Sequence, residues 1–154
     1  MDRKLIFSPK EIANIQAMVY RLREVDPGRT IREQKSWHST DNVSNKDFIR
    51  LATKIMEEFG LEAKLVMCWA NISQKGHWHT EHTHPGSSVV AVLMVKDTNP
   101  GDKEDGVLVI NDKPVDPRMK EGEVLLFPSD TPHRVTENKQ DEDRITIAFN
   151  FKQF

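Results

Sequence analysis

A chain of 154 residues falls within the usual size of a single domain and is long enough to close one hydrophobic core. Its 22 basic and 24 acidic residues nearly cancel and no basic run stands out, which removes any electrostatic reason to propose nucleic acid or an anionic membrane as the main partner. No apolar run approaches the roughly 20 residues that a membrane span needs. The opening MDRKLIFSPKE carries no long apolar stretch of the secretory kind, so a soluble, cytoplasmic protein is expected. The single Cys68 admits no internal disulfide, suits a reducing compartment, and reads as a small core residue between Met67 and Trp69.

In chain order, helices come first. SPKEIANIQAMVYRLREVD places Ser8 as N-cap, Pro9 at the first helical position and Glu11 as the reciprocal partner of the cap, with Ile12, Ile15, Val19 and Leu22 at helical spacing. SNKDFIRLATKIMEEFG repeats the design, with Ser44 and Asp47 at its start, a stripe of Phe48, Leu51, Ile55 and Phe59, and Gly60 where a left-handed stop falls. From residue 64 the pattern changes to short runs rich in β-branched, Leu and aromatic residues: KLVMCWANIS, SSVVAVLMVKD, GVLVIND, EVLLFPS, HRVT and RITIAFNFK, which read as strands. Turn-forming stretches such as TNPGDKEDG, NDKPVDPRMKEG, PSDTP and ENKQDED separate them, and no stretch repeats another. The expectation is one domain over 1–154, mainly β with N-terminal helices. Its helical part, 1–62, packs on a barrel or jelly roll formed by 63–154. The polar connection at 98–106 reads as a surface loop.

The stretch GHWHTEHTHPG, residues 76 to 86, holds four of the chain's six histidines. In an unbroken extended chain His82 and His84 share one face and His77 and His79 the other. Two imidazoles at i and i+2 can converge on one metal, but the centre needs a third ligand from elsewhere. His133, after the Pro-flanked turn in EVLLFPSDTPHRV, stands at the end of an apolar strand and is the candidate. Pro85-Gly86 turns the chain into the apolar run VVAVLMV, which gives the His82–His84 pair a rigid support. His77 and His79 read as loop residues or as residues supporting the centre, and His38, in the polar stretch SWHSTDN, as an ordinary surface histidine. Trp37, Trp69 and Trp78 read as core or rim aromatics.

Three imidazoles suit zinc, iron, copper or nickel and leave coordination positions free. Arg144 narrows the choice. In DRITIAFNF, Ile145, Ile147 and Phe149 occupy one face of a strand, and Arg144, Thr146, Ala148 and Asn150 the other. A guanidinium fork with a hydroxyl beside it suits a small carboxylate. The competing reading is a rim arginine paired with Asp141, Glu142 or Asp143.

Taken together, SWHSTDNV, the second helix, WANISQKGHWHTEHTHPGSSVVAV, EGEVLLFPSDTPHRVTEN and RITIAFNF resemble the 2-oxoglutarate and iron(II)-dependent oxygenases, most closely a small branch found in bacteria and phages. The resemblance implies a double-stranded β-helix (the cupin-like jelly roll). It implies Fe(II) at His82 and His133, with either His84 or water in the third place, and 2-oxoglutarate held at its far carboxylate by Arg144 and Thr146. It also implies oxidation of a primary substrate by dioxygen, coupled to decarboxylation of 2-oxoglutarate to succinate. Two departures stand out. The superfamily usually has His-x-Asp or His-x-Glu where this chain has His82 and His84, and the Tyr-rich strand expected next is replaced by Val89 to Val95. Cupin metal sites are the alternative: Gly76, His82, His84, Gly122, Pro128 and His133 match their pattern. Ser87 to Val89 stand where the cupin Glu falls, Asp130 replaces Gly, and Glu137 replaces Asn. A barrel that binds without turnover is a third possibility, which the missing carboxylate favours.

Overall fold

Ser8 starts the first helix as its sequence dictates. A computed structural model describes residues 2–29, 36–98, 101–102 and 104–154. In it the Ser8 side chain accepts from the Glu11 backbone N–H while the Glu11 carboxylate accepts from Ser8 N, and helix α1 runs from Pro9–Val25. Helix α2, Lys46–Phe59, ends on Gly60 in the left-handed conformation, φ 60°, as expected. Its N-cap differs from the expectation: Asn45, not Ser44, accepts from Asp47 N at 2.9 Å, because Asn45 holds the extended backbone that aims its carboxamide back over the first turn. Asn45→Ala is therefore expected to lower stability by about 1 kcal/mol. Ser44→Ala should stay within about 0.5 kcal/mol of the parent. Urea denaturation of the two variants checks the assignment.

The strands are β1 (Asp2–Leu5), β2 (Trp37–His38), β3 (Ala63–Ser73), β4 (His79–His82), β5 (Val89–Lys96), β6 (Leu108–Ile110), β7 (Lys113–Pro114), β8 (Glu123–Pro128), β9 (His133–Val135) and β10 (Arg144–Gln153). They form two antiparallel sheets. The larger has the order β1-β8-β5-β10-β3-β2, the smaller β4-β9-β6-β7, and the architecture is a double-stranded β-helix. The six strand-like runs of the sequence all become strands. The N-terminal segment is not wholly helical, since β1 extends the large sheet beside β8 and β2 caps it beside β3. Of the 98–106 connection, residues 99–100 and 103 lie outside the described residues.

Alternation along the central strands divides the interior in two. Cys68, Ala70 and Ile72 of β3, Ala91, Leu93 and Val95 of β5, Val124 and Leu126 of β8, and Ile145, Ile147 and Phe149 of β10 pack beneath Ile12, Ile15 and Val19 of α1 and Phe48, Ala52 and Ile55 of α2. Intervening residues point between the sheets, where Val90, Met94, Leu125 and Phe127 meet Leu108, Ile110 and Val135. The run VVAVLMV is thus apolar throughout because both of its faces are covered. Cys68 is fully buried, and burial pushes its thiol up to about 12. No helix among the described residues is long and apolar enough to cross a membrane.

Candidate metal centre

The inward faces of β3 and β10 form one wall of a cavity of about 390 Å³, and the smaller sheet forms the opposite wall. Thr146 pairs directly with Asn71 and Arg144 with Ser73, so Arg144, Thr146, Ala148 and Asn150 line this wall together with Met67, Trp69 and Asn71. That is the face the alternation of RITIAFNF predicts.

From the other wall, His82 pairs with His133 across β4 and β9, and His84 follows in the turn after β4. One ring nitrogen from each of the three lies within 4.8 Å of the others. His84 Nε2 and His133 Nε2 are 2.9 Å apart. Two ligand nitrogens at right angles around a metal, each bound at about 2.1 Å, stand about 3.0 Å apart, so this spacing fits a shared ion. Two of the rings are also held in the tautomer a metal requires. His82 Nδ1 lies 2.6 Å from Thr80 O and His133 Nδ1 lies 2.9 Å from Thr131 O; a carbonyl only accepts, so Nδ1 carries the proton and Nε2 keeps its lone pair. Burial first, then the neighbouring imidazoles, push His84 down to about 3, and burial pushes His133 down to about 4. Both rings are neutral across the physiological range. His82 is only half-buried and marks the open side of the cluster.

His38 departs from its sequence-based reading, and His79 from the face that an unbroken strand would give it. His38 is not a surface residue: it is 7% exposed, lines the cavity and stacks on Trp69, with ring centroids 5.1 Å apart. The pairing of β2 with β3, which no local pattern signals, carries it inside. Trp69 stacks in turn on His84 at 5.4 Å. His79 reaches the same cavity as His82 despite opposite parity, because the β4–β9 register shifts between them. It is buried, its Nε2 lies 3.1 Å from the hydroxyls of both Ser36 and Ser73, and burial, together with the charge of Arg144, pushes it down to about 3. His77 holds the β3–β4 turn instead, accepting from Gln74 N.

Arg144 is 2% exposed, and its Nε has no hydrogen-bond partner. No carboxylate among the described residues forms an ion pair with it. The neighbouring acids are turned elsewhere: Asp143 accepts from the Tyr20 hydroxyl at 2.7 Å, and Asp141 pairs with Lys75. Burial lowers its guanidinium to about 10, which leaves it charged near neutrality. A buried cation without an anion is costly, and an acidic ligand relieves that cost. Asn71 on the same wall buries a carboxamide oxygen that also lacks a partner, while the Asn150 side chain lies against His84. Asn71 was legible in KLVMCWANIS, where Cys68, Ala70 and Ile72 claim the opposite face.

Residues 98–150 match the family model described as "Putative 2OG-Fe(II) oxygenase", a segment that contains His133, Arg144 and Thr146. No curated protein matches the chain in sequence. Among solved structures, HygX from Streptomyces hygroscopicus with nickel and 2-oxoglutarate bound is similar at TM-score 0.73 and 16% identity, covering 97% of this chain and 80% of that one. A Pseudomonas putida prolyl-4-hydroxylase is similar at TM-score 0.63 and 21% identity, covering 99% and 92%. The non-haem α-ketoglutarate-dependent epimerase SnoN from nogalamycin biosynthesis matches at TM-score 0.74 and 13% identity, covering 97% and 74%. At these identities the likeness is one of fold.

Proposed function

We propose that the protein is an iron(II) and 2-oxoglutarate-dependent oxygenase of the hydroxylase type. The observation that carries this reading is the pairing, within one cavity, of a three-imidazole cluster with a buried guanidinium that has no ion-pair partner among the described residues. A metal alone gives no reason to bury a free cation on the facing wall; an acid that also reaches the metal does. The family match and the fold of the neighbours support the same reading.

In this assignment His82, His84 and His133 hold Fe(II) through Nε2, and Arg144 with Thr146 receives the far carboxylate of 2-oxoglutarate. When bound, iron and 2-oxoglutarate supply an oxidant for a substrate C–H bond at the expense of dioxygen, releasing succinate and carbon dioxide. The chain's own contribution is binding and orientation. Thr80 O and Thr131 O fix the rings that present nitrogen to the ion, and Trp69 and His133 flank His84 so that its plane cannot turn. The apolar residues Val90, Val92, Leu108 and Val135 limit water in the cavity. A cytoplasmic setting suits this chemistry, since iron kept as Fe(II) and a lone thiol at Cys68 both fit a reducing compartment.

Anaerobic titration of the protein with Fe(II) and then 2-oxoglutarate is expected to develop a weak visible charge-transfer band. Metal binding without that band returns the site to the cupin reading. Arg144→Gln is expected to weaken 2-oxoglutarate binding by about 1.5 to 3 kcal/mol through loss of the charge-assisted contact, with Fe(II) affinity nearly unchanged.

A further inference from the structure

A second arginine stands behind the first. Arg118, in the segment between β7 and β8, directs Nε at both oxygens of Asp97, at 2.9 and 2.8 Å, and Nη2 at the same carboxylate. Two further donors reach backbone carbonyls, Nη1 to Asp105 O at 2.9 Å and Nη2 to Gly106 O at 3.0 Å. Gly106 is the point where the two arginines meet. A Cβ built on it would lie 3.3 Å from Arg144 Cδ and 3.8 Å from Arg118 Nη2, so a larger residue there would press on the Arg144 side chain. Both arginines also border a small void of about 10 Å³ beside Met94 and Met119.

Ile145 of β10 pairs with Lys96 of β5, so Arg144 has Asp97 beside it across the strands and Arg118 beside it across Gly106, and two guanidiniums compete for one carboxylate. The bidentate fork on Asp97, backed by two carbonyls, decides the competition for Arg118. We propose that Arg118 is a positioning residue that holds Asp97 and so keeps this carboxylate from capturing Arg144, leaving the Arg144 guanidinium free to receive an acid in the cavity. The three groups do sense one another: after burial, the charge of Arg118 lowers Arg144 and that of Asp97 raises it. The functional consequence rests on the 2-oxoglutarate reading above. The rearrangement of Asp97 does not.

Arg118→Met releases Asp97, and its effect is read in two ways on the full-length protein. The first needs no cosubstrate: the 15N–1H signal of Arg144 Nε, assigned by its disappearance in Arg144→Lys, is expected to shift in Arg118→Met as Asp97 pairs with it. It should return towards the parent position in Asp97→Asn/Arg118→Met. The second is anaerobic 2-oxoglutarate binding to the Fe(II) protein, expected to weaken about tenfold in Arg118→Met and to recover to within about twofold of the parent in the double variant. A merely structural Arg118 gives the opposite order, with the double variant no better than the single one. Arg118→Lys, which keeps a charge on Asp97 and guards against misfolding of the Met variant, is expected to bind 2-oxoglutarate nearly as the parent does. An unmoved Arg144 signal in Arg118→Met overturns the proposal, as does a double variant that fails to recover. If the parent protein binds no 2-oxoglutarate, the proposed function falls, and the Arg144 signal alone decides whether Asp97 is held off.

Discussion

His133→Ala is expected to lower Fe(II) affinity by roughly a hundredfold or more, since even residues that only orient a ligand are worth 10- to 100-fold. His133 occupies the centre of the cluster: its ring lies 4.3 Å from His82 and 4.8 Å from His84, and its Nε2 faces that of His84. Removing it leaves two imidazoles, one of them half-buried at the rim, too few to hold an ion against water. His77→Ala is the matched control, because its ring serves the β3–β4 turn and not the cavity; its Fe(II) affinity should stay that of the parent. Isothermal titration with Fe(II) under argon compares the three proteins. Equal affinity in parent and His133→Ala would remove the metal from this cavity.

The metal-free protein is expected to lose stability steeply as the solution is acidified. His79 and His84 titrate near 3 and His133 near 4 in the folded chain, against 6.5 for a solvated imidazole, with burial the main cause in each. Below 6.5 the unfolded chain takes up protons that the folded chain refuses, so falling pH favours unfolding. The stability these rings contribute is complete above about 6.5 and is lost progressively down to about 4 for His133 and about 3 for the other two. From about pH 7 to about pH 5 the loss is about 2 kcal/mol per ring, or about 6 kcal/mol in all. That is comparable to the whole stability of many domains. Urea denaturation at a series of pH values reads it directly, and a curve flat over this range would mean the rings are solvated. Added metal should move the loss to lower pH, because ions and protons compete for the same nitrogens.

How much of this was legible in the sequence depended on whether the signal was local. The face shared by Arg144, Thr146 and Asn150 followed from alternation alone, since Ile145, Ile147 and Phe149 between them are apolar and buried under the helices. Convergence of His82 and His84 with His133 needed pairing of β4 with β9; the end of an apolar strand marked His133 as the third candidate, but no local pattern names the strand it pairs with. Three features had no local signal. His38 enters the cavity through a two-residue strand whose partner lies more than thirty positions away. The irregular register of β4 brings His79 to the side from which an unbroken alternation excludes it. Ser44 and Asn45 are both good capping residues, and only the backbone angles choose between them.

The two sheets are unequally supported, and the two ends of the cavity belong to different ones. Arg144 and Thr146 sit on the large sheet, whose outer face carries both helices, whereas His82 and His133 belong to the small sheet, which among the described residues packs on the inner cluster around Leu108, Ile110 and Val135 alone. Local opening costs least where fewest apolar groups are buried, so backbone amides of β4, β6 and β9 should exchange with solvent sooner than those of β5 and β10. A dicarboxylate joining an ion on the soft half to a guanidinium on the stiff half acts as a strut between them. Loading the cavity would then slow that exchange across the small sheet, coupling occupancy of the centre to the rigidity of its weaker wall.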